Sequence, residues 1–147
     1  GLLYFNKKAV VIGGGDSHRL HLDDMVLIKD NHLAIVGSVE EAVKRAKAHG
    51  SFAKKIEIEV TTVEDALKAA KAGADVVMLD NFSSKQAKAA GKALGEAGFG
   101  KVLLEVSGGI TGENMLEYAS AEVDVISMGE LTHSVKALDI SLEIIKN

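Results

Sequence analysis

A chain of 147 residues with 47% hydrophobic content is long enough for one domain with its own core, spanning residues 1–147. A formal charge of −4, a pI near 5.7 and lysine mixed with glutamate along the helical segments give no basic footprint, which argues against a nucleic-acid partner. Zero cysteines exclude disulfides and thiolate chemistry, and no apolar run approaches the roughly 20 residues that span a bilayer, so the chain reads as cytoplasmic, with any metal held by oxygen or histidine and magnesium favoured.

The first apolar run, Ala9 to Ile12, reads as a strand. It leads into GGGDSHRLHLDD, too short for a full crossover helix and therefore a functional loop with His18 and Arg19 behind a triple glycine. Met25 to Ile28 is the second strand, ending in IKDNH with Lys29 at its tip. A helix follows over Ser38 to Ala48, with Ser38 as N-cap and Glu41 as its capping-box partner. The third strand, Ile56 to Val60, carries Glu59, and the helix Thr62 to Ala72 stops before Gly73. Val76 to Leu79 is the fourth strand, with Asp80 at its end, and a helix runs over Ser83 to Ala97. The fifth strand, Val102 to Val106, runs into Ser107, Gly108 and Gly109 before a helix from Thr111 to Ala121. Val123 to Met128 is the sixth strand, followed by Gly129, and Leu138 to Ile145 closes the chain as a helix.

Strands that are apolar throughout are buried on both faces, and their alternation with helices predicts a parallel sheet with right-handed crossovers. Polar residues fall at the carboxyl ends of many strands, which favours a (β/α) barrel rim over the single switch point of an open doubly wound sheet. Six strands rather than eight make this a truncated, TIM-barrel-like α/β fold.

The rim residues carry the chemistry. Glu59 and Asp80, one βαβ step apart, suit a magnesium ion, vicinal sugar hydroxyls or a developing positive charge; alternatively Asp80 is a solvated acid or a helix cap. Lys29 suits a carboxylate or phosphate, a Schiff base if desolvated, or a plain strand-terminal turn. His18 and Arg19 suit a planar dicarboxylate, because a guanidinium binds carboxylates bidentately. The nucleotide-loop reading of the triple glycine fails for want of GxGxxG spacing and of a P-loop lysine. Ser107, Gly108 and Gly109 pair with Gly129 as a two-loop phosphate site of the kind barrels place after their last strands. His133 either reaches that phosphate or caps a helix.

GGGDSHRLHLDDMVLIKDNHL, IEIEV, VVMLDNF, LEVSGGIT and VDVISMGELTHSVKALDISLEI together closely resemble the barrel domain of quinolinate phosphoribosyltransferase, over the whole chain and in order. The resemblance implies a transferase of NAD biosynthesis. Quinolinate and phosphoribosyl diphosphate, with magnesium, give nicotinate mononucleotide, diphosphate and carbon dioxide. It implies that His18, Arg19 and Lys29 face the quinolinate carboxylates, that Glu59 and Asp80 hold ribose hydroxyls and magnesium, and that Ser107, Gly108, Gly109, Gly129 and His133 surround the 5′-phosphate. It also marks departures. The family's N-terminal domain and an Arg-Lys-Thr-x-Pro run are missing before Gly1, and Leu3, Ser17 and Ser84 replace an arginine and two prolines. With no proline anywhere and no initial methionine, the expectation is an excised, engineered barrel domain with little turnover. Bare apolar surface then predicts a homodimer.

Overall fold

The computed structural model describes residues 1–145. Five of the expected strands form: β1 (Val26–Ile28), β2 (Ile56–Val60), β3 (Val76–Asp80), β4 (Leu103–Ser107) and β5 (Val125–Ile126). They make one all-parallel sheet in the order β1-β2-β3-β4-β5. A strictly sequential order has no point of reversal, so the doubly wound alternative does not hold. The sheet winds in one direction as a barrel does, and among the described residues β1 and β5 remain unpaired with each other.

Three expectations are corrected. Ala9 to Ile12 is the end of a helix, α1 (Leu3–Ile12), so the sheet has five strands rather than six. Four apolar residues fit either period, and the ten-residue helical stretch they belong to decides for helix. The helix expected over Thr111 to Ala121 shrinks to α6 (Met115–Ala119), because the Asn114 carboxamide ties up its approach by accepting from Thr111 N–H and donating to the Gly109 carbonyl. Leu138 to Ile145 is neither helix nor strand. Its apolar residues Leu138, Ile140, Leu142 and Ile144 recur every second position, a period that gives a helix no apolar face, and all four are exposed.

The long helices begin where their caps say. α3 (Val39–His49) starts at Ser38, whose hydroxyl accepts from Glu41 N–H; the expected capping box is only half made, since the Glu41 carboxylate turns to Arg45 at 2.7 Å. α4 (Val63–Ala72) is capped by Thr62, and α5 (Ser84–Glu96) by Ser83 and Gln86 in a reciprocal box. Small residues on these helices, among them Ala66, Ala69, Ala87 and Ala90, are fully buried. That allows the helix backbones to lie close against Ile58, Val77, Leu79 and Val106 on one face of the sheet.

At the amino-terminal ends, one device recurs. Asp75, before β3, donates its N–H to the Ile56 carbonyl and accepts Ile56 N–H on its carboxylate at 2.8 Å; Asp124, before β5, does the same to Leu104 at 2.8 Å. These clamps tie neighbouring strands together at their starts, and the pleat carries alternate side chains of β2, β3 and β4 to the opposite face. There Glu59, Met78 and Glu105 share one row and Asp80 and Ser107 the next, toward the carboxyl ends.

Candidate active site

The carboxyl ends open on a cleft of about 1400 Å³, lined by α1, the loop after it and the ends of several strands. A void of that size exceeds an ordinary small-ligand pocket of about 300–1,000 Å³ and has room for two substrates. Lys7, His18, Arg19, Lys29, Ser107 and Gly129 all line it. The loop bearing His18 and Arg19 is held at both ends. Lys7 donates its ammonium to the Ser17 carbonyl at 2.5 Å, and the Asp24 carboxylate accepts from Leu20 and His21 N–H at 2.7 and 2.8 Å. Those two backbone bonds hold the Asp24 carboxyl below its ordinary value.

Lys29 follows β1 and opens a helix the sequence pattern concealed, α2 (Asp30–Val36). Its own N–H donates to His32 Nδ1 at 2.9 Å, which makes His32 a structural cap. Its ammonium lies 3.8 Å from Glu59 Oε2 across the β1–β2 register. Burial pushes the Glu59 carboxyl up, Lys29 opposes this, and Asp80 and Asp30 add to the rise. Lys29, Glu59 and Asp80 are therefore neighbours in space, as expected.

Ser107, Gly108 and Gly109 end β4 beside Asp80, and the Ser107 carbonyl accepts Asn81 N–H at 2.9 Å. Gly108 has φ +96°, and a Cβ there would meet the Asn81 carboxamide with its Cγ at 2.7 Å. Gly129 begins α7 (Glu130–His133), where a Cβ would run into the His133 ring, its Cδ2 at 2.8 Å. The two glycine turns are joined by Glu130, whose carboxylate accepts Gly112 N–H at 2.8 Å. His133 is exposed and its Nδ1 pairs with Ser134 Oγ at 2.7 Å. Gly108, Gly109 and His133, like Glu59 and Asp80, flank the cleft and are not among the residues that line it.

Beneath the rim lie residues the apolar reading of the strands hid. Glu57 and Glu105 are almost completely buried, at 0% and 2% exposure. His18 Nε2 makes a hydrogen bond to Glu105 Oε2 at 3.3 Å and approaches Glu57 Oε2 at 3.5 Å, while Ser127 Oγ donates to Glu105 Oε1 at 2.5 Å. Its bond to Glu105 raises the His18 imidazole above its ordinary value against the lowering effect of burial. Burial, and then the charge of Glu105, push Glu57 up to about 7. The available signal was the period of two in IEIEV, which puts Glu57 on the face of Glu59, and in LLEVS, which puts Glu105 on the face of Ser107.

The comparisons with known proteins agree with this fold. Residues 1–143 match the family described as quinolinate phosphoribosyl transferase, C-terminal domain. The chain is 55% identical over 144 residues to the probable nicotinate-nucleotide pyrophosphorylase [carboxylating] of Methanocaldococcus jannaschii, covering 95% of this chain and 50% of that protein. It is 41% identical to the human nicotinate-nucleotide pyrophosphorylase [carboxylating], covering 98% of this chain and 48% of that one. The crystal structure of NadC from Streptococcus pyogenes superposes with a TM-score of 0.89 at 40% identity, over 97% of this chain and 49% of that one. The chain spans about half the length of the curated relatives it matches. With its five parallel strands wound in sequence beneath a rim of Lys29, Glu59, Asp80 and two glycine turns, the chain belongs to the quinolinate phosphoribosyltransferase C-terminal domain family.

Proposed function

We propose that this chain forms the phosphoribosyl-transfer side of a quinolinate phosphoribosyltransferase site, which joins quinolinate to phosphoribosyl diphosphate and releases diphosphate and carbon dioxide to leave nicotinate mononucleotide. The observation that carries this reading is the meeting of Lys29, Glu59 and Asp80 at adjacent strand ends, one strand from the Ser107 to Gly109 turn. A phosphate binder alone has no use for the two acids and the lysine.

In this reading Arg19, Lys29 and His18 bind the quinolinate carboxylates along the cleft, where a guanidinium and an ammonium also stabilise the charge shed as carbon dioxide leaves. Glu59 and Asp80 take the ribose hydroxyls and stabilise the positive charge that grows at the anomeric carbon as diphosphate departs. The same pair offers hard carboxylate oxygens, which suit magnesium, and being only two they leave its other positions to substrate oxygens and water. A magnesium ion held by Glu59 and Asp80 would supply countercharge for the departing diphosphate. Backbone N–H groups of Gly108, Gly109 and Gly129, with Ser107 Oγ and His133, receive the 5′-phosphate. The domain is one unit over residues 1–147, cytoplasmic, and completed as a catalyst by sequence of the kind that fills the other half of its relatives.

A second reading, a barrel scaffold that keeps the phosphate site without turnover, draws on the unpaired β1 and β5 and the width of the cleft. The two are separated by supplying quinolinate, phosphoribosyl diphosphate and magnesium and measuring carbon dioxide release and nicotinate mononucleotide formation. The enzyme reading expects slow turnover that Glu59→Gln lowers by a factor of about 10²–10³, the scale of losing one group that stabilises transition-state charge. Turnover absent in the presence of nicotinate mononucleotide binding leaves the scaffold reading, and absence of both removes the site.

A further inference from the structure

The rim chemistry leaves one group without a role. The Glu57 carboxylate is wholly buried, and neither of its oxygens has a hydrogen-bond partner among the described residues. A buried carboxylate left in that state is strongly unfavourable unless something positive comes to it. We propose that His18, Glu57 and Glu105 bind a divalent first-row transition-metal ion, Zn²⁺ in preference, at a site one layer below the rim and separate from the magnesium placed at Glu59 and Asp80.

Geometry carries the assignment. One ligand atom from each of the three residues lies within 4.8 Å of the others. His18 Nε2 stands 3.3 Å from Glu105 Oε2 and 3.5 Å from Glu57 Oε2. Ligands at roughly 2.0–2.1 Å from a tetrahedral ion are about 3.3–3.4 Å from one another, so two edges of the polyhedron are already close to their required length. The three donors come from the loop, β2 and β4, and are thus fixed by separate parts of the fold. Ser127 Oγ holds Glu105 Oε1, orienting Oε2 toward the site, as an outer partner orients a ligating carboxylate.

Charge and hardness narrow the occupant. Two carboxylates balance a divalent ion, and neither Glu57 nor Glu105 forms an ion pair with any lysine or arginine among the described residues. An imidazole in the set disfavours magnesium and calcium, which prefer oxygen throughout, and suits zinc, cobalt or iron. Three protein ligands leave a fourth position. The His18 side chain is 29% exposed on the cleft wall, so that position opens toward water and the quinolinate carboxylates, which the ion would take in place of a direct bond from His18 Nε2.

The test uses the full chain stripped of metal and titrated with Co²⁺, with no substrate present. One ion per chain with the visible absorption of a four- or five-coordinate centre, displaced by Zn²⁺, is expected. His18→Ala changes a loop residue and should fold normally by circular dichroism, yet weaken Co²⁺ binding by roughly 10–100-fold or more; Glu105→Gln should do the same. Glu59→Gln, at the rim, should keep that visible absorption and its displacement by Zn²⁺, losing at most a second, weaker ion that lacks it. Failure to bind Co²⁺ or Zn²⁺, or His18→Ala binding as well as the unaltered chain, overturns the site and leaves protons as the only counter-charge of the cluster. A loss in Glu59→Gln matching that in His18→Ala also overturns it, by moving the ion to the rim. Because the readout needs no substrate, its failure leaves the phosphoribosyl reading standing, and failure of that reading leaves this site testable.

Discussion

At Gly108 two constraints coincide. The backbone is left-handed at φ +96°, and the space a Cβ would take is occupied by Asn81, whose own N lies 3.0 Å away. At Gly109 the backbone is also left-handed, φ +64°, but nothing lies within 4 Å of a Cβ. Gly109→Ala should therefore cost about 1 kcal/mol, the left-handed penalty alone. Gly108→Ala should cost about 2–4 kcal/mol, because Asn81 must also move. Urea unfolding of the two variants checks this, and equal losses would show that Asn81 gives way freely. The comparison also bears on how the site could be read. Gly108 is legible as a turn and as a place for an anion, but its packing against Asn81 is not, because that contact joins residues from different strands. Lys29, Glu59 and Asp80 are legible since each is a charge ending or interrupting an apolar run. Glu57 and Glu105 carry the same charge in the same kind of run, and escape notice because their burial depends on how the His18 loop covers the sheet.

At the scale of elements, the strands and long helices follow from local signals that tertiary packing reinforces. Apolar runs bounded by turns give β1 to β4, and Ser38, Thr62 and Ser83 mark their helices because each hydroxyl satisfies an N–H that the first turn leaves free. The failures have separate causes. Ala9 to Ile12 is too short to fix a period unless the ten-residue stretch that contains it is taken whole, and Leu138 to Ile145 alternates with a period of two that gives a helix no apolar face. Neighbouring strands are tied at their starts by a different feature, the paired clamps of Asp75 and Asp124. Each carboxylate accepts an N–H near the start of the preceding strand, from Ile56 and Leu104 respectively, partly shielded from water. Asp75→Ala should leave Ile56 N–H without a partner at the head of β2 and destabilise the chain by about 1–3 kcal/mol. Asp75→Asn, which keeps an acceptor oxygen, should recover part of that. If thermal melts place both variants with the unaltered chain, the clamp contributes nothing beyond the strand ladder.

Over the whole molecule, one face of the sheet is sealed by helices, and apolar surface is left bare on elements outside the sheet. The helices cover Ile58, Val77, Leu79 and Val106, but α1 exposes Leu3, Tyr4, Phe5 and Ile12, and the carboxyl-terminal stretch exposes Leu138, Ile140, Leu142 and Ile144. Scattered apolar side chains are ordinary on a surface, whereas two groups of four mark surface suited to association. Edge pairing is a weaker route, since β1 and β5 offer only three and two residues. Association should thus proceed through side chains. The chain is expected to sediment at about twice its 15.5 kDa at micromolar concentrations and to dissociate on dilution. Phe5→Lys and Leu142→Lys should each shift the balance toward monomer and, at dilutions where the unaltered chain is itself monomeric, leave the melting temperature unchanged, because these side chains are mostly exposed and stay outside the core. A 15.5 kDa species at every concentration would mean the exposed groups are too divided to bind a second copy. A lower melting temperature in either variant at those dilutions would instead place that side chain within the folded core, against its exposure here.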